Sequence, residues 1–242
     1  MTSTLKTNAI EPEGATTNLV IGESGQNTVI SNNDIRANVL QDAGGNAVFT
    51  SNGSGVLSGV NSGLGSAMVL LSTQTASGSA SISFTSGIDS TYGEYIFKFY
   101  NINPDTNDKA FGFQCSTDGG STYATTVTDT QFYPQHSEGG AGAGLYYASW
   151  NDVAEGTGHI NLAGAIGSGA DESTSGELHL FNPSSTTYVK NFYATFQLYY
   201  ENDYSMNPRT AGYFNTTSAI DAIQFTMVSG NFDGTIYLYG IK

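Results

Sequence analysis

The only cysteine of the chain, Cys115, opens the stretch CSTDGGSTY (residues 115–123), where a thiol, two serines and an Asp-Gly-Gly lie together. A thiol becomes a nucleophile when a neighbouring base or cation favours its thiolate, and no such residue adjoins it. In AFGFQC, Phe111, Phe113 and Cys115 alternate, so the thiol shares an apolar strand face and reads as an inert core residue. No G-x-S-x-G elbow occurs. Strand signals flank the stretch, AFGFQC before and YATTV after, and Asp118-Gly119 supplies the positive φ of a tight hairpin turn. A hairpin tip is expected, exposed from Asp118 to Gly120, with Cys115 facing the core.

The other reactive types are scattered. His136 falls in the loop YPQHSEGGAG, and His179 lies on the solvent side of ELHLF, opposite Leu178 and Leu180. No two histidines have metal-ligand spacing. Glycoside hydrolysis needs two carboxyls about 5 to 9.5 Å apart, and none of the acidic residues sits in a recognisable catalytic motif. In NPDTND, Asn103, Asp105 and Asn107 alternate as calcium ligands do, but the glycine and distal glutamate of an EF-hand are missing. A strand-joining loop is the expectation. The chain is read as no enzyme, with no catalytic residue, metal or cofactor.

Binding chemistry is better represented. Fifteen tyrosines and one tryptophan are a heavy aromatic load. Sugars lay their apolar faces on aromatic rings while nearby amides and carboxylates take the hydroxyls, a combination of apolar wall and few polar groups common to ligand sites. GLYYASWND offers this with Tyr146, Tyr147, Trp150, Asn151 and Asp152. The solvent-side tyrosines Tyr199, Tyr237 and Tyr239 offer a second platform. Tyrosine and tryptophan are also enriched where proteins meet, so packing between protomers or sheets is the alternative role.

Periodicity supplies the elements that must position these residues. Tyr95, Phe97 and Phe99 alternate in EYIFKFYNI. Phe192, Ala194, Phe196 and Leu198 do so in NFYATFQLYY, as do Ile223, Phe225 and Met227 in AIQFTMV, and Ile236 and Leu238 in GTIYLYGIK. Period two marks strands with one buried face. Shorter candidates are SASISF, AFGFQC, YATTV, GHINLAG and ELHLF, separated by Gly, Asn, Asp, Pro and Ser. Residues 67–242 thus hold roughly eight to ten strands and no convincing helix, a spacing that suits a sandwich or barrel. Their length favours a two-sheet jelly roll over an immunoglobulin-type sandwich of about 100 residues.

Residues 1–66 differ: short apolar pairs are separated by Gly, Asn and Ser. VLQDAGGNAVF and FTSNGSGVLSGV each place a turn between two short strands. Such a segment buries little apolar surface alone. It is either a linker or a shaft packed on other chains. The whole is expected to be all-β: an extended Gly/Asn/Ser-rich shaft or anchoring segment over residues 1–66, then a jelly-roll-like β-sandwich over residues 67–242.

Charge excludes other classes. Seven basic residues face 21 acidic ones, a formal charge of −14, and no basic run exists to neutralise phosphates. Nucleic acid is an unsuitable partner. The opening MTSTLKTNAIEPEG lacks the basic-then-apolar pattern of a secretory signal. No apolar run approaches the roughly 20 residues of a membrane helix. Neither export by a leader nor membrane insertion is expected.

STLKTNAIEP, NLVIGESGQNTVI and DAGGNAVFTSNGSG resemble the N-termini of fibre-like virion proteins of tailed bacteriophages, above all podovirus-type phages of marine bacteria. FGFQCSTDGGSTY, SGELHLFNPSS and the closing AIDAIQFTMVSGNFDGTIYLYGIK are similar to strand and turn pieces of the same group. The resemblance spans both parts of the chain, through short structural motifs. It implies a homotrimeric virion component made in the host cytoplasm, a short tail fibre or spike. Residues 1–66 would dock on other virion proteins, and the jelly roll would project and contact a host cell-surface glycan. A capsid decoration, head fibre or tail adaptor, binding only other virion proteins, fits the same residues.

Overall fold

The computed structural model of the chain describes residues 39–41, 46–51, 54, 57–60 and 67–242. Of the anchoring segment expected over residues 1–66, residues 1–38, 42–45, 52–53, 55–56 and 61–66 lie outside the described residues. Contacts divide the chain into two units, Met1–Leu64 and Gly65–Lys242.

In the first unit, β1 (Val39–Gln41), β2 (Ala47–Ser51) and β3 (Leu57–Val60) form a three-stranded antiparallel sheet in the order β1-β2-β3. Leu40 pairs with Phe49, and Phe49 pairs with Val60. The two strand-turn-strand pieces legible in the sequence are these two pairings.

The second unit is an all-β sandwich of thirteen strands: β4 (Met68–Ser79), β5 (Ser81–Phe84), β6 (Glu94–Pro104), β7 (Lys109–Ser116), β8 (Val127–Ser137), β9 (Gly144–Tyr147), β10 (Ile160–Ile166), β11 (Thr174–Phe181), β12 (Lys190–Tyr200), β13 (Tyr204–Met206), β14 (Arg209–Phe214), β15 (Ala222–Met227) and β16 (Phe232–Ile241). Two four-stranded runs make its frame, β4-β16-β6-β11 and β10-β7-β15-β5. The consecutive pairs β4/β5, β6/β7, β10/β11 and β15/β16 are each split between the runs, which is jelly-roll connectivity. Beyond β11 the first run continues through β12 to β13 and β14, then β8 and β9, and β12 also joins the second run by pairing Tyr200 with Ile166 of β10.

Phenylalanines fill the space between the sheets. The Phe225 ring meets Phe99 at 4.9 Å and Phe97 at 5.2 Å, both edge-on. Phe113 of the second sheet meets Phe192 at 5.3 Å and Phe214 at 6.0 Å, on strands of the extension. The extension therefore curls around the β10 edge and closes the core on that side. Edge-to-face pairs suit the ring quadrupole and add to the area they bury.

The curl also explains how the β10 edge is finished. The Asn161 backbone carbonyl accepts hydrogen bonds from Gln131 Nε2 at 2.9 Å and Thr210 Oγ1 at 2.8 Å. Buried carbonyls need partners, and side chains of β8 and β14 supply them. β7 and β10 approach so closely that a β-carbon at Gly112 would overlap the Ile160 carbonyl and the His159 ring.

The stretch after Cys115 is a turn but not a hairpin tip. Cys115 is fully buried, and Asp118 and Gly119 are exposed, with positive φ at Gly119 and Gly120. Asp118 Oδ1 accepts from Ser116 Oγ at 2.6 Å and from the Thr122 N–H at 2.9 Å. The hairpin expectation is corrected, because β7 pairs with β10 and β15, whereas the chain after the turn enters β8, which pairs with β9, β13 and β14. Residues 123–126 of YATTV are not strand. Turn chemistry sets where the chain reverses; the core-facing pattern of the next strand sets what it pairs with.

Candidate ligand-binding site

Trp150 stands on a short irregular segment, residues 148–156, that runs back along β8. The segment is pinned at several points. The Ala148 N–H donates to the Gln131 carbonyl at 2.9 Å, and the Gly156 N–H donates to the Val127 carbonyl at 3.1 Å. Asp152 Oδ1 accepts the Gln131 N–H at 3.0 Å, and Asp129 Oδ1 accepts the Val153 N–H at 2.6 Å. Burial pushes the Asp129 carboxyl up to about 6, and the nearby Asp152 charge adds to the rise. With the backbone so held, the Trp150 side chain remains 69% exposed.

The tryptophan borders a cavity of about 350 Å³ between β7 and β10 on one side and β8, β12 and β13 on the other. Small-molecule sites span about 300–1,000 Å³, so this one has room for a compact ligand. Tyr133 and Tyr200 contribute further aromatic wall, and Gln131, Asn151 and Asn161 contribute amides. Gln131 is spent on structure: Nε2 donates to the Asn161 carbonyl and to Thr210 Oγ1, and Oε1 accepts from Asn151 Nδ2 at 2.6 Å. That bond fixes the Asn151 amide. Asn161 is 8% exposed, yet its Oδ1 has no partner.

The sequence-derived candidates separate into groups. Trp150 and Asn151 line the cavity, and Asp152 holds their segment in place. Tyr147 is 58% exposed, and its hydroxyl donates to Asp152 Oδ2. Tyr146 stacks on Tyr133 at 5.6 Å. These five residues form one neighbourhood. Tyr237 and Tyr239 stack at 6.3 Å on the outer face of β16, and Tyr100 meets Tyr237 edge-on at 5.3 Å. Tyr199 does not join them. It lies three strands away on β12, roughly 14 Å across the sheet at the usual strand spacing. Its hydroxyl donates to Asp203 at 2.7 Å, a bond that pushes the phenol up to about 12.

The residues set aside as unreactive are accounted for locally. Burial raises the Cys115 thiol well above its ordinary range. His179, expected on the solvent side, is 9% exposed because Tyr193 stacks on it at 4.4 Å and Glu94 Oε1 meets Nδ1 at 2.6 Å. His136 lies on β8 rather than in a loop. Asn103 and Asn107 tie loops together, Asn103 Nδ2 donating to the Glu172 carbonyl at 2.6 Å and Asn107 Nδ2 to Glu201 Oε2 at 2.9 Å. Among the described residues, no group of three or more His, Cys, Asp or Glu is placed to hold a metal ion.

Nothing in the sequence alone singles out Gln131, Tyr133, Asn161 or Tyr200 as lining a cavity. GHINLAG has the pattern of a strand, but its polar Asn161 gives no sign that the curled sheet covers that side too. DTQFYPQ alternates, with Asp129, Gln131 and Tyr133 on one side, yet Asp and Gln do not announce a buried face. No protein-family model matches the chain, and neither a curated protein nor a solved structure gives a significant match, so its own side chains must supply the functional reading.

Proposed function

We propose that the chain is a non-enzymatic attachment protein of a tailed-phage virion. Residues 1–66 dock on other virion proteins, and the jelly roll contacts saccharide on the host surface. One observation carries the attachment half: Trp150 is held out to solvent by a pinned segment, beside a cavity lined with amides. A large exposed indole costs hydration unless something covers it, and an indole next to amides suits a sugar ring. The fold agrees with this role, since jelly rolls serve as capsid and lectin domains. The sequence likeness to fibre-like virion proteins supplies the setting, and a trimer would multiply weak sites through effective concentration.

The test is retention of the full-length protein on immobilised host-envelope polysaccharide. Retention that soluble polysaccharide competes away supports attachment. Absence of retention by the folded protein sinks it. A purely structural role, as capsid decoration or tail adaptor, finds its support in a different feature, the Tyr100–Tyr237–Tyr239 cluster on the outer sheet face. That reading gains if Tyr237→Ser removes assembly into particles while Trp150→Ala leaves host adsorption unchanged.

A further inference from the structure

We infer that the cavity between Trp150 and Asn161 is a subsite for a single neutral pyranose residue, stacked on the indole and read by the Asn151 and Asn161 amides. This deepens the attachment reading and rests on it for the source of the sugar, not for the binding itself.

The unused amide of Asn161 is the first support. A buried polar group without a partner costs roughly 1–3 kcal/mol, and most such groups in folded proteins are satisfied. The neighbouring side chains bond the Asn161 backbone carbonyl and leave its Oδ1 unpaired. Asn161 Oδ1 is sealed from solvent as it stands, and a half-turn of the amide, which interchanges its two ends, would bring the oxygen to a ligand hydroxyl that donates to it.

Convergence is the second support. A β-carbon at Gly164 would lie 3.4 Å from Asn161 Nδ2 and 4.0 Å from Asn151 Nδ2. The two amides therefore flank one point, where the missing side chain leaves room. Gln131 binds the Asn151 nitrogen side and leaves Asn151 Oδ1 to accept from a ligand. Two amides converging beneath an aromatic wall match neighbouring hydroxyls on a ring whose carbon face meets the indole.

Charge selects the sugar class. The cavity is lined by amides, phenols and a serine, with one cation and one anion, Lys109 and Asp108, adjacent in the chain. A phosphate or carboxylate would meet no net positive charge there, and the chain's −14 repels anions at longer range. Neutral hexoses and N-acetylhexosamines fit; uronates, sialosides and nucleotides do not.

The full-length protein would be titrated with methyl glycosides of neutral hexoses and N-acetylhexosamines. Ligand-observed NMR would be read alongside, with a uronate, a sialoside and a nucleotide as comparison ligands. The expected result is saturable binding of at least one neutral pyranoside, weakened at least tenfold by Trp150→Ala and by Asn161→Leu. Both variants should fold: Trp150 is exposed, and replacing an unpaired buried amide by an apolar group of similar shape is close to neutral. Binding of only the anionic sugars or the nucleotide overturns the class, and no binding of any of them overturns the subsite. If pyranosides bind as expected but host polysaccharide does not retain the protein, the attachment reading fails and the subsite stands. If polysaccharide retains the protein and Asn161→Leu changes nothing, the subsite fails and attachment stands.

Discussion

Asp129 Oδ1 accepts the Val153 backbone N–H at 2.6 Å, while its Oδ2 is buried without a partner. One carboxylate thus clamps the segment that presents Trp150, and half of it is left unsatisfied. Burial raises its pKa in the fold from 3.8 to about 6, so the protonated form is the one the fold favours. The stabilisation is fully present below about pH 4 and is lost as pH rises through about 6. Asp129→Asn keeps an acceptor for Val153 and removes the charge. Its melting temperature should exceed that of the parent above about pH 6, and the difference should shrink towards about pH 4. Thermal melts across that range check this; parallel profiles would contradict it.

The rings of Phe84, Phe97, Phe99, Phe111 and Phe113 surround Phe225 at centroid distances from 4.9 to 6.2 Å. Phe225→Ala should cost roughly 3–5 kcal/mol. Urea unfolding should show this as a lower midpoint with an unchanged slope. Phe132 is 43% exposed on the outer face, and Phe132→Ala should stay within about 0.5 kcal/mol.

Cys115 should not react with a thiol reagent in the native protein and should react fully in denaturant. Cys115→Ala should cost about 1 kcal/mol by the lost packing of a small buried group, without changing saccharide binding. Rapid native labelling, followed by loss of binding, would place the thiol in a site and contradict its core role.

The strands with the strongest alternation, in EYIFKFYNI, NFYATFQLYY and AIQFTMV, were legible because Phe97, Phe196 and Phe225 face one core while Lys98, Gln197 and Thr226 do not. β4 was not, since an edge strand such as STQTASGS carries polar residues on both faces. β8 was hidden for a different reason. Its buried side holds Asp129 and Gln131, whose partners Val153, Asn151 and Thr210 are distant in sequence and known only after folding. Trp150 and Asn151 could be named in advance because an indole beside an amide in a turn-rich stretch already suggests sugar chemistry. Asn161 could not, because its burial depends on the extension curling over β10.

Trp150 is the only tryptophan of the chain, so intrinsic fluorescence reports on the proposed contact without a label. The full-length protein would be titrated with host-envelope polysaccharide, and the indole emission followed against concentration. Saccharide binding at the cavity predicts a saturable shift or change in intensity, absent with a polysaccharide of unrelated composition. Emission that stays unchanged through the titration, with the protein still folded, would contradict attachment through this site.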